Sequence, residues 1–170
     1  GLYDAATGVR LRTSDADFVD LGLIEVTRPD APWPRAAFTM QTVVDRQLGD
    51  VILLGYNHYP RGFSHAPETP LRRGDILHLD LFWQAVAAPM QGQQMTVSLD
   101  GPAGTQVVSE AGPLASASYP SSQWQPGEIV RGQLDLTLPV GLPAGVYRVV
   151  MHVPGTIPIA GADIGMVNIE

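Results

Sequence analysis

The sequence predicts an all-β protein, an antiparallel immunoglobulin-like β-sandwich, and three observations carry that prediction. Apolar residues recur with a period of two nearly everywhere, and no window of about 11 residues shows a helical stripe. Glycine (18) and proline (15) make about a fifth of the 170 residues and are scattered as punctuation. Strand-like runs are short, with turn signals spaced about 8–12 residues apart. A barrel is the alternative closure of the same pattern.

The elements follow in order. Apolar Leu2-Tyr3 leads into a turn at Asp4 to Gly8, so the chain opens on what reads as the end of something. Asp20-Leu21-Gly22-Leu23-Ile24-Glu25-Val26 matches Asp163-Ile164-Gly165-Met166-Val167-Asn168-Ile169 near the other end. This internal repeat predicts that residues 1–28 are the terminal strands of a preceding repeat, or an added hairpin. Two strands alone are marginal in water, so they are expected to dock on the main module or swap onto a neighbour. Residues 29–41 hold Pro29, Pro32, Pro34 and a lone Trp33, and read as an extended Pro-rich linker. Residues 42–170 then form a complete module.

Within that module, Val51 to Tyr56 is a continuous apolar run, a strand buried on both sides or bent at Gly55. In Asp75 to Trp83, Leu77, Leu79, Leu81 and Trp83 alternate with His78, Asp80 and Phe82, a half-buried strand with Trp83 in the core. Met95 to Asp100 and Thr105 to Glu110 form a hairpin across Gly101-Pro102-Ala103-Gly104. Gly132 to Leu138 and Val146 to Val153 alternate again, and each stops at a proline.

Composition removes several function classes. There are no cysteines, hence no disulfide, thiolate metal site or cysteine nucleophile. The formal charge is −7, and all ten basic residues are arginine without a basic block. That disfavours nucleic acid and anionic membranes as partners. No apolar run approaches the roughly 18 residues that span a bilayer. No Gly-x-Ser-x-Gly elbow, Walker loop or dinucleotide glycine loop is present. Acidic residues such as Asp80, Asp100 and Asp135 fall at outward strand positions, where a solvated face is expected rather than a catalytic pair. No enzymatic activity and no cofactor are expected.

The remaining chemistry lies in histidines, carboxylates and aromatics. His58 and His65 share the stretch Asn57 to Pro70, while His78 and His152 face outward on two strands and would meet only if those strands were neighbours. Surface histidines are expected rather than a zinc site. Asp15, Asp17 and Asp20 are a weak calcium candidate, lacking the glycine and closing glutamate of an EF-hand. For carbohydrate, the long loop expected over Asn57 to Pro70 offers Tyr59 and Phe63, with Tyr119 and Trp124 as further ring candidates. Trp124 precedes Gln125-Pro126-Gly127 and reads equally as a packing plug under a turn.

Three groups of residues carry a family resemblance: Leu53-Leu54-Gly55-Tyr56 with Arg73-Gly74-Asp75 through Trp83-Gln84-Ala85; Tyr119-Pro120-Ser121-Ser122-Gln123-Trp124-Gln125-Pro126-Gly127-Glu128; and Leu138-Pro139 through Tyr147-Arg148. With Gly1-Leu2-Tyr3-Asp4 to Gly8, they resemble β-sandwich modules, often tandem, that follow bacterial membrane glycosyltransferases of the dolichyl-phosphate-mannose mannosyltransferase type. Phe82 stands where those modules usually carry tyrosine, and the segment Val153 to Ala162 lacks their usual turn. The resemblance implies a non-catalytic accessory or spacer module of a bacterial envelope protein, extracytoplasmic or at the cell surface. Its partners would be glycans or neighbouring domains. The alternative expectation is a carbohydrate-binding module using the loop aromatics.

Overall fold

The structure, a computed structural model, describes residues 4–9, 22–23, 25, 28–63, 68–87, 91–101, 104–154 and 162–170. The chain divides into two units, Gly1–Asp30 and Ala31–Glu170. The anticipated N-terminal hairpin falls mostly outside the described residues, as do Asp15, Asp17, Asp20 and His65. In the first unit the expected turn is present. Asp4 Oδ1 accepts from Ala6 N (3.0 Å), Thr7 N (2.8 Å) and Thr7 Oγ1 (2.8 Å).

The second unit is an antiparallel β-sandwich. One sheet runs β1 (Thr42–Leu48), β2 (Val51–Pro60), β3 (Ile76–Ala85), β7 (Ile129–Thr137) in spatial order. The other runs β5 (Gly104–Val108), β4 (Gln94–Gly101), β8 (Gly145–His152), β9 (Ala162–Ile169), with the short β6 (Gly112–Pro113) also on β4. The chain changes sheets between β3 and β4, between β6 and β7, and between β7 and β8.

Period-two patterning dictates what fills the interior. Leu77, Leu79, Leu81 and Trp83 of β3 face Val97 and Leu99 of β4 and Tyr147, Val149 and Met151 of β8 in one core. Side chains of this kind contribute about 2–5 kcal/mol each, judged by truncation to alanine. Two bulges reset the alternation. In β2 the register shifts between Leu53 and Gly55, so Leu53 and Tyr56 both point inward across an odd interval. In β9, Ala162 and Ile164 are buried before Gly165, and Val167 and Ile169 after it. Gly165 sits at φ 153°, and a Cβ there would collide with the Tyr56 hydroxyl reaching across from β2.

Residues 31–41 lie against the outer face of the β1-β2-β3-β7 sheet as a strap. Phe38 packs edge-on to Phe82, with ring centroids 5.8 Å apart, which explains an apolar residue at an outward position of β3. Asn57 grips the strap twice, donating to Thr39 O (3.2 Å) and accepting from Gln41 N (2.7 Å). Arg35 forms a two-point ion pair with Asp45 at 2.6 and 3.0 Å. Asp45 has φ 51°, at the point where β1 slips register against β2.

Candidate functional site

The strap covers one part of the outer sheet face and leaves another part open. Register explains what stands there. β3 and β7 pair His78 with Asp135, Asp80 with Gln133, and Phe82 with Arg131. β2 adds Tyr59 opposite His78. Directly opposed residues of an antiparallel pair share a face and touch. Outward polar residues on three strands therefore converge.

Asp80 is the hub. It is 3% exposed although it faces outward. Its Oδ1 accepts from Arg131 Nε (2.9 Å), Arg131 NH2 (2.6 Å) and Gln133 Nε2 (3.0 Å), and its Oδ2 from the Tyr59 hydroxyl (2.9 Å). Burial alone would raise its carboxyl. The hydrogen bonds from Gln133, Arg131 and Tyr59, with the Arg131 charge, outweigh burial and hold it below the usual carboxylate range. Burial, then the bond to Asp80 and its charge, push the Tyr59 phenol up against a smaller opposing effect of Arg131.

Above this hub lies a second layer. His78 Nδ1 is 2.6 Å from Asp135 Oδ1, and its Nε2 is 3.4 Å from Asp80 Oδ1. The Tyr59 ring lies on the His78 ring at 5.2 Å between centroids. Arg61 NH1 reaches Asp135 Oδ2 at 3.0 Å. Together Tyr59, Arg61, Gly62, His78, Gln133, Leu134 and Asp135 line an open depression of about 350 Å³.

The sequence-predicted ring candidates separate. Tyr59 is in the depression, but it stands on β2 rather than on a loop, because the strand runs on through Asn57 to Pro60. Phe63 follows the lining residue Gly62, is not itself among the lining residues, and is 53% exposed. Tyr119 and Trp124 lie together, away from the depression, in the turn that precedes β7. The Tyr119 hydroxyl donates to Glu128 Oε1 (2.8 Å), and Trp124 Nε1 donates to Tyr119 O (3.2 Å). Trp124 is 2% exposed, so of its two readings the packing plug describes its place.

His78 and His152 stand on different sheets and cannot share a ligand. Among the described residues no three His, Asp or Glu side chains gather as metal ligands. Sequence reasoning missed Arg61, His78, Gln133, Asp135 and the Asp80–Arg131 pair as a group. The signal available was the polar alternation on both β3 and β7, which becomes a lattice once the two strands are paired.

The fold and site define a β-sandwich with a polar, part-covered outer face. No family model matches the chain, and no curated protein matches it. Among solved structures, the crystal structure of the C-terminal domain of Wzt is similar, with 12% identity and a TM-score of 0.48, covering 72% of this chain and 74% of that one. That finding corrects the resemblance drawn from sequence: the module matched belongs to Wzt, not to a membrane glycosyltransferase. The extracytoplasmic or cell-surface placement rested on the transferase resemblance and is withdrawn with it. The motifs behind it include Leu53-Leu54, Trp83 and Trp124, all buried, and such residues recur wherever a sandwich must be filled.

Proposed function

We propose that this protein is a non-catalytic carbohydrate-binding module whose site is the outer-face depression between β2, β3 and β7. The observation that carries the reading is the Arg61–Asp135–His78–Gln133 rim around a cavity of about 350 Å³. A ligand site of this size, with a few fixed polar groups, suits a small polar molecule. Arg61 donates and Asp135 accepts side by side, which matches a pair of sugar hydroxyls. Phe63, exposed and next in sequence to the lining residue Gly62, offers a ring to the C–H face of a pyranose.

The same geometry argues against catalysis. Asp80 is held ionised by donors on both oxygens, so it is not poised as a general acid. Asp135 is paired as a carboxylate with His78 and Arg61, one on each oxygen, which leaves lone pairs to accept from a hydroxyl. What remains is a rigid, preorganised hydrogen-bonding surface.

The test is a glycan array followed by calorimetric titration of the hits. Arg61→Ala and Asp135→Ala are expected to abolish binding while the circular dichroism spectrum and melting curve stay near those of the wild type. Binding that survives both substitutions, or no binding to any glycan, overturns the proposal.

A further inference from the structure

The depression is one end of a longer feature. Among the described residues β7 is the last strand of its sheet, and its outward residues Ile129, Arg131, Gln133 and Asp135 form a single row. From Asp135 to Ile129 that row runs about 20 Å at the usual rise per strand residue. Just beyond it, at Gly127, the strap arrives: a Cβ placed on Gly127 would stand 3.9 Å from Pro32 Cγ. The next residue is Trp33, 63% exposed and fixed between two prolines. An exposed aromatic residue therefore neighbours in sequence a residue near each end of the row, Phe63 after the lining residue Gly62 and Trp33 after Pro32, with hydrogen-bonding side chains between them.

We infer that this row is a track for a linear, uncharged glycan several sugar rings long, bound along its length rather than by its terminal residue. The inference rests on the carbohydrate reading above. Three features select the occupant. An apolar ring toward each end and hydrogen-bonding side chains between them match a polymer that presents both C–H faces and hydroxyls along its length. The charges along the row are already paired, Arg61 with Asp135 and Arg131 with Asp80, so no surplus cation is left to favour a uronic acid or a phosphate. Among the described residues no strand pairs with the far side of β7, so the outward row is not closed off by a further strand of the sheet. Pro34 restricts the backbone of Trp33, and its ring has only two χ angles to fix, so a sugar stacked on it costs little ordering entropy.

The experiment is isothermal titration calorimetry of the full chain with malto-, cello- and manno-oligosaccharides, each from the disaccharide to the octasaccharide. Affinity is expected to keep rising past the trisaccharide in at least one series. Trp33→Ala is expected to weaken the longest member by about tenfold and to leave the disaccharide unchanged. Asp135→Ala should abolish binding at every length. A plateau at the disaccharide, with Trp33→Ala silent, would sink the track and leave the depression as the site. Binding indifferent to Asp135→Ala, or none in any series, would sink both.

Discussion

Replacing Asp80 by asparagine removes one negative charge from the centre of the outer-face lattice and keeps its shape. The carboxylate accepts two bonds from Arg131, one from Gln133 and one from Tyr59. Hydrogen bonds to charged groups are worth about 1.5–3 kcal/mol each, and neutral ones about 0.5–1.5. Three effects reduce the loss. The amide still offers one acceptor oxygen, its burial costs less than that of a charge, and Arg131, whose side chain is 50% exposed, regains water. The expected net cost is ~2 kcal/mol, which lowers Tm by roughly 5–8 °C in a domain of this size. Its pH dependence is the sharper readout. Asp80 titrates below its unfolded value, so its stabilisation is complete above about pH 4–5 and is lost as the pH falls through the folded value. The wild-type advantage over Asp80→Asn should hold at pH 7 and close toward pH 3. Urea unfolding at both pH values, followed by the fluorescence of buried Trp83 and Trp124, measures it. An asparagine variant as stable as the wild type at pH 7, or a gap unchanged at pH 3, refutes the hub.

Two further outcomes follow from other parts of the sandwich. Gly165→Ala should cost about 2–3 kcal/mol because the new Cβ meets the Tyr56 hydroxyl, and the cost should shrink in a Tyr56→Phe background, as a double-mutant cycle in urea would show. Burial holds the His58 imidazole below its ordinary value, so the unfolded chain takes up a proton first and stability falls as the pH drops below about 6.5. His58→Gln should flatten that fall, seen by comparing urea midpoints at pH 7.5 and 5.5.

The sandwich was legible because alternation survives in single strands. Leu77 to Trp83, Val146 to Val153 and the pair flanking Gly101 and Gly104 each declare one buried face without reference to any partner. Gly55 could be read as a bend because a glycine inside an apolar run has few other uses. The site was not legible for the opposite reason. His78, Asp80, Gln133 and Asp135 look like ordinary solvated positions until β3 and β7 are set side by side, and residues 71–137 give no local hint of that pairing. Asp80 is the clearest case. Its burial comes from Tyr59 on one neighbouring strand and Arg131 on the other, so its own surroundings in the chain say nothing of it. The end of β2 was hidden by Pro60, which reads as a loop residue but here closes a strand.

The strap has a mechanical consequence. Any tension applied to the chain before residue 31 must pass along residues 31–41 before it can reach β1. It meets the Arg35–Asp45 pair, the Phe38–Phe82 contact and the two bonds from Asn57, which lie on three different strands of one sheet. The pull meets these contacts in turn, at residues 35, 38, 39 and 41, before it draws on the first residue of β1. Residues 31–41 therefore stand as a strain relief between the chain before residue 31 and the start of β1.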